Sequence, residues 1–134
     1  MEDGFCILLA EDEALIAMNL LDNLVDSGYS VRLASSGLEA LSIIEEREQT
    51  FLGLITDIQL GAGPDGWDLA HRARELNPDL PVLYMSGNCA HEYSTRGVAD
   101  SRMVQKPFTC TQMMAAMSSL QLPGPNTLRS DPRC

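Results

Sequence analysis

The sequence predicts a doubly wound α/β domain, a parallel sheet with helices on both faces. Three observations lead there. Short apolar runs rich in Leu, Ile, Val and Met alternate with stretches of helical periodicity, in the order βαβαβαβαβα. Such alternation forces parallel strands joined by crossovers. The runs are continuously apolar rather than alternating, as in strands covered on both faces. Finally, the 134 residues carry 45% hydrophobic residues, enough for one domain with a real core.

The first strand is the run over residues 5–10, ending directly on Glu11-Asp12. Helical spacing begins after Asp12, where Ala14, Met18, Leu21 and Val25 recur at three- and four-residue steps with Leu20 and Leu24 beside them. Gly28 closes that helix, the natural residue just past a helix end. Residues 30–34 form a shorter second strand. Ser36 is placed to cap the next helix, with Glu39 completing a capping box. That helix carries Leu38, Leu41 and Ile44 on one face and ends in the polar run 45–48.

The third strand, residues 52–57, stops on Asp57 and is followed by the glycine-rich loop Gly61-Ala-Gly-Pro-Asp-Gly66. A helix over 67–76 follows, with Leu69, Ala70, Ala73 and Leu76 as its apolar stripe and Asn77-Pro78 as its stop. Residues 81–85 form the fourth strand, ending on Ser86-Gly87. Periodicity is weak over 88–97, where a short or loosely held helix is expected. A brief fifth strand over 103–105 precedes Lys106-Pro107. Thr109 or Thr111 caps a last helix with Met113, Met117 and Leu120 inward and Met114 alongside. The domain is expected to occupy residues 1–121, with 122–134 a polar, disordered tail.

Composition narrows the function. A net charge of −10 argues against direct nucleic-acid binding, which needs clustered Lys and Arg. Cys6, Cys89, Cys110 and Cys134 are scattered, with neither a C-x-x-C pair nor zinc spacing, so a reduced cytoplasmic setting is expected. The N-terminus is not a signal peptide, and no apolar run approaches a membrane span, so no membrane insertion is expected.

In an open α/β sheet, ligands bind outside the carboxyl ends of the strands. The residues found there are Glu11-Asp12, Asp57, Ser86 and Lys106. Each alone has an ordinary reading: Asp57 and Ser86 as turn formers, and Glu11-Asp12 as helix-terminal acids matched to the dipole. Together they lie on one edge of one sheet. Three carboxylates brought together repel one another unless a cation binds, and an all-oxygen site with few carboxylates suits Mg²⁺. Lys106 adds a compact positive charge for a phosphoryl oxygen, and Ser86 adds a hydroxyl. A carboxylate nucleophile, a metal, a lysine and a hydroxyl describe a phosphoryl acceptor that works by positioning and electrostatics. No histidine or further base in the pattern points to rapid hydrolysis.

With these motifs the chain resembles a response-regulator receiver domain, the phosphoacceptor of two-component signalling, over about residues 5–120. The matching features are the acidic pair after strand one, Asp57 after strand three, Ser86 after strand four and Lys106-Pro107-Phe108 after strand five. The resemblance implies a flavodoxin-like (βα)5 fold with strand order 2-1-3-4-5. It implies phosphorylation of Asp57 and Mg²⁺ held by Asp12, Asp57 and the backbone carbonyl of Gln59, with Glu11 holding a metal-bound water. Ser86 would contact the phosphoryl group, Lys106 would pair with it, and the bond before Pro107 would be cis.

The implied partners are a histidine kinase or histidine phosphotransfer protein and a downstream protein target. The domain would be a monomer or weak dimer that catalyses only its own phosphorylation and dephosphorylation. Its output would pass through the surface from strand four to the last helix. Three departures stand out, the weak fourth helix over residues 88–97 being one. Met103 occupies the position where the family usually has an aromatic switch, and the loop after Asp57 is longer than usual. Such features resemble receivers that stand alone or follow a hybrid kinase.

Two other classes use similar parts. A haloacid-dehalogenase-like phosphatase has a nucleophilic Asp with Mg²⁺, but places D-x-D after its first strand, whereas Asp57-Ile-Gln-Leu60 has no second Asp. A flavodoxin-like cofactor carrier needs a Ser/Thr/Gly-rich phosphate loop after strand one, where this chain has two acids.

Overall fold

A computed structural model describes residues 6–46, 51–87 and 90–120; the expected tail over 122–134, the end of the polar run 45–48 and the first residues of the 88–97 segment lie outside them. The elements run β1 (Cys6–Ala10), α1 (Ala14–Asp26), β2 (Ser30–Ala34), α2 (Gly37–Glu46), β3 (Gly53–Asp57) and α3 (Gly66–Leu76). They continue with β4 (Val82–Ser86), a 3-10 turn (Ala90–Glu92), α4 (Tyr93–Arg96), β5 (Arg102–Gln105) and α5 (Cys110–Ser119). The five strands form one sheet in the order β2-β1-β3-β4-β5, every neighbouring pair parallel. The doubly wound parallel sheet is the one expected from the alternation, and its order is the flavodoxin-like one that the family resemblance implies.

Period-two alternation sorts the strand residues onto two faces. Leu8, Leu54, Val82 and Tyr84 pack with Ala40, Ile43 and Ile44 of α2 and with Leu69, Ala70 and Ala73 of α3. Ile7, Leu9, Ile55, Leu83 and Met85 pack on the other face against Leu20 and Leu24 of α1 and Met113 and Met117 of α5. The central strands β1, β3 and β4 are buried along their whole length, which is why their sequences show no polar alternation.

Two helix faces differ from expectation. In α1 the buried residues are Ala17, Leu20 and Leu24, whereas Met18 is 60% exposed and Val25 52%. The segment is apolar almost all round, so several stripes fit its sequence, and the sheet covers only one of them. In α2, Leu38 is 57% exposed. It packs toward the long loop after β3, where a Cβ on Gly63 would lie 2.8 Å from Leu38 Cγ. The helix buries Ala40, Ile43 and Ile44 instead.

The caps follow side-chain chemistry. Asp65 and Asp68 form a capping box at α3, and Thr109 and Gln112 form one at α5. At α2, Ser36 Oγ accepts the Glu39 N–H at 3.1 Å, while the Glu39 carboxylate takes the N–H of Ser35 rather than that of Ser36. Among the described residues between β4 and β5, the helical elements are a 3-10 turn and the four residues of α4, the short element expected there. No helix among the described residues is long and apolar enough to cross a membrane.

Candidate functional site

The inward alternation that buries Leu9, Ile55 and Val104 against α1 and α5 continues one step past the core to Glu11, Asp57 and Lys106. The three are thereby brought together across strands far apart in sequence. Lys106 Nζ donates to Asp57 Oδ2 at 2.9 Å and lies 3.2 Å from Glu11 Oε1 and 3.8 Å from Glu13 Oε1. Asp57 is 7% exposed, and its Oδ1 accepts the Ile58 N–H at 2.8 Å. Asp12, next along the chain from Glu11, is exposed.

Glu11 is buried, and its Oε2 accepts the Glu13 N–H at 3.0 Å. Its Oε1 is buried without an aligned hydrogen-bond donor. Burial pushes its carboxyl up to about 7, opposed by the Glu13 N–H, reinforced by the Asp57 charge and moderated by Lys106. Lys106 shows the converse balance. Burial works against its charge, but the bond to Asp57 and the charges of Asp57 and Glu11 outweigh it and hold the ammonium above its ordinary pKa.

One ligand oxygen from each of Glu11, Asp12 and Asp57 falls within a 4.8 Å cluster. An all-oxygen set of clustered carboxylates, one with a buried oxygen that accepts no aligned hydrogen bond among the described residues, fits a small hard cation. Gln59, expected to offer its carbonyl, is an exposed residue of the loop leaving β3. Ser86 ends the adjacent strand, 1% exposed, one position past the Asp57–Met85 pair, and its carbonyl accepts the Lys106 N–H at 2.7 Å. The Lys106–Pro107 bond is cis.

Some participants were not anticipated from sequence. Glu13 orients Glu11 through its backbone and adds a carboxylate near Lys106; its only signal was its spacing of two from Glu11. Gly66 packs against the Asp57 backbone so closely that a Cβ would fall 2.2 Å from the Asp57 carbonyl oxygen. The sequence marks Gly66 only as the last residue of a glycine-rich loop. Beside the site, a groove of about 590 Å³ runs between α1 and the start of α5, lined by Ile16, Asn19, Leu20, Lys106 and Phe108 among others.

The pattern of the response regulator receiver domain matches residues 7–118. This chain belongs to the response regulator receiver family. Receiver similarity extends to the response regulator receiver protein CpdR of Brucella abortus, 35% identical over 76% of this chain and 84% of CpdR. The sensor kinase CckA of the same organism is 29% identical over 85% of this chain, which spans 12% of that kinase. Among solved structures, a response regulator receiver protein from Sinorhizobium medicae superposes with a TM-score of 0.82 at 40% identity, covering 86% of this chain and 92% of that one. As a receiver, the domain is a phosphoacceptor of two-component signalling and not a classical enzyme. Receiver domains interact with histidine kinases and with downstream targets. Neither the phosphatase nor the cofactor-carrier alternative is favoured by these matches.

Proposed function

We propose that Asp57 is the phosphoacceptor of this receiver, taking its phosphoryl group from a phosphohistidine on a kinase or phosphotransfer protein. The observation that carries this is the pairing of Asp57 with Lys106 at 2.9 Å inside the Glu11, Asp12 and Asp57 cluster. A carboxylate oxygen of Asp57 forms the new O–P bond as the N–P bond to the donor imidazole breaks, and the bonding pair leaves with that imidazole. Lys106 then exchanges its contact with Asp57 for one with a phosphoryl oxygen. Ser86 donates its hydroxyl to another, and the Ile58 N–H holds the nucleophile in place.

Asp12 and Asp57 would hold Mg²⁺ with the Gln59 carbonyl, and Glu11 would orient a water of its shell. When bound, the ion supplies positive charge to the transferring oxygens. The protein thus catalyses its own phosphorylation and dephosphorylation and no other reaction. It acts as a domain of residues 1–121, as a monomer or weak dimer, and its downstream partner meets the surface from β4 to α5. A reduced, cytoplasmic setting suits the scattered cysteines of the chain.

The test is intact-mass measurement after incubation with a small phosphodonor and Mg²⁺. One acid-labile phosphoryl adduct is expected, absent from Asp57→Asn and absent without Mg²⁺ or in Asp12→Ala. Full adduct in Asp57→Asn would remove the assignment.

A further inference from the structure

Three aromatic rings form a contiguous stack outside the acidic site, each from a different element. Trp67 in the first turn of α3 lies 4.7 Å between centroids from Tyr84 of β4, and Tyr84 lies 5.9 Å from Tyr93 of α4. Trp67 and Tyr84 are fully buried and Tyr93 is partly so. The stack is tied to the site at two points. Trp67 follows Gly66, which is packed on the Asp57 backbone and donates its N–H to the Ile58 carbonyl at 2.7 Å. Tyr84 stands two residues before Ser86, on the same face of β4.

At its far end the Tyr93 hydroxyl donates to the Ser101 carbonyl at 2.6 Å, immediately ahead of β5, and the Tyr84 hydroxyl accepts the Val98 N–H at 3.1 Å. Arg96 closes over the stack from outside. Its guanidinium carbon is 5.6 Å from the Trp67 ring centroid, Nη2 is 3.5 Å from Asp65 Oδ2, and Nη1 is 3.2 Å from Glu92 Oε1. The Trp67 indole N–H is buried with no hydrogen-bond partner among the described residues, where packing and Arg96 hold the ring.

We propose that this stack transmits the state of the site to α4, with Arg96 as a latch that is shut in the unphosphorylated domain and opens on phosphorylation. The proposal rests on the reading that Asp57 receives the phosphoryl group. Trp67 moves with Asp57 through Gly66, and Tyr84 moves with Ser86 along β4. When Ser86 closes on a phosphoryl group, the two rings are driven together. Rings with centroids 4.7 and 5.9 Å apart pass a displacement on rather than absorb it, as close-packed interiors do, so it reaches the least firmly held neighbour. That neighbour is α4, four residues with none buried, fastened by exposed ion pairs, one ring face, the Tyr93 hydroxyl on Ser101 and the His71 ring on the Arg96 carbonyl at 2.9 Å. Met103, opposite Tyr84 in the β4–β5 register, is flexible and yields without relaying a rotation. The aromatic element absent from position 103 is in this way replaced by one carried on α3, β4 and α4.

Trp67 is the sole tryptophan of the chain, so it reports the latch directly. The experiment is acrylamide quenching of its fluorescence in the full chain, before and after acetyl phosphate with Mg²⁺, with the phosphoryl adduct weighed in the same sample. The expected result is a rise in quenching and a red shift of emission on phosphorylation. Arg96→Ala should show the raised quenching already without phosphodonor and little further change with it. Arg96→Lys, which retains a cation for the ring and for Asp65, should recover part of the phosphorylation-dependent rise. Adduct formation with unchanged quenching would overturn the latch and leave the phosphoacceptor reading standing. So would a phosphorylation-dependent rise that survives undiminished in Arg96→Ala. Absence of any adduct overturns both.

Discussion

Lys106 Nζ stands 2.9 Å from Asp57 Oδ2, which makes a residue from the end of β5 the internal counter-ion of a carboxylate at the end of β3. The side chains are 16% and 10% exposed, so water screens the pair only in part. Before any metal arrives, Lys106 is the charge that allows Glu11 and Asp57 to lie side by side.

Lys106→Ala should therefore destabilise the metal-free domain. Removing one partner of a buried pair costs about 3–5 kcal/mol when the pair is fully desolvated, and partial exposure lowers the expectation to roughly 1–3 kcal/mol. Urea unfolding with and without Mg²⁺ measures it, and saturating Mg²⁺ should restore part of the loss. Asp57→Asn introduced into the same variant should also recover stability, because the uncompensated carboxylate is then gone. Equal unfolding midpoints for Lys106→Ala and the wild type would show that solvent, not Lys106, balances the site.

Glu11 gives the domain an unusual pH dependence. Its carboxyl is raised from 4.5 to about 7, by burial first. A carboxyl whose pKa is higher folded than unfolded binds its proton more tightly in the folded state. Its contribution is present at low pH and is lost as pH climbs from about 4.5 to about 7. Metal-free protein should thus gain on the order of 1–3 kcal/mol as pH falls through that window. Glu11→Gln should remove most of the slope, separating it from the general relief of a chain with net charge −10. Denaturant midpoints at a series of pH values decide the matter, and an identical slope in Glu11→Gln would remove Glu11 as its source.

How much of this was legible in the chain depends on the range of the interactions involved. Strand ends were legible because a buried parallel strand is an apolar run that must stop where the sheet stops, and Glu11, Asp57, Ser86 and Lys106 mark those stops. The inward face of α1 was not. Ala14, Leu15, Ile16, Ala17 and Met18 are apolar in succession, so only docking on the sheet selects Ala17, Leu20 and Leu24. Leu38 misled for a related reason, since its neighbour at Gly63 comes from a loop whose shape no local pattern specifies. The Trp67–Tyr84–Tyr93 stack joins three elements through contacts between residues well separated in sequence, and periodicity within any one of them carries no trace of it.

Gly66 is required by closeness rather than by backbone conformation. A Cβ there would meet the Asp57 carbonyl oxygen at 2.2 Å and carbon at 3.0 Å, both main-chain atoms that cannot swing aside. Gly66→Ala should cost about 1–3 kcal/mol through overpacking. It should also slow phosphorylation of Asp57 beyond what the stability loss explains, because relief of the clash displaces the acceptor's own backbone. Rates of adduct formation measured well below the melting temperature test this; a normal rate would mean that the loop moves instead of Asp57.

The outer face of α1 separates folding from recognition. Leu15 is 80% exposed and Met18 60%, whereas Leu24 is fully buried against the sheet. Leu24→Ala should cost about 2–5 kcal/mol. Leu15→Ser and Met18→Ser should change stability by no more than about 0.5 kcal/mol. These two apolar side chains share α1 with Ile16 and Leu20 of the groove beside Lys106. On the proposed reading that Asp57 takes its phosphoryl group from a phosphohistidine protein, that protein is expected to cover this rim and bury both side chains. The double variant should accept phosphate from a small donor at the normal rate, yet accept it about tenfold more slowly from a phosphohistidine protein, the equivalent of roughly 1.4 kcal/mol of lost contact. Parallel time courses with the two donors measure the difference. Equal slowing with both would place the effect in the chemistry of the site, and no slowing with either would move the donor's contact off α1.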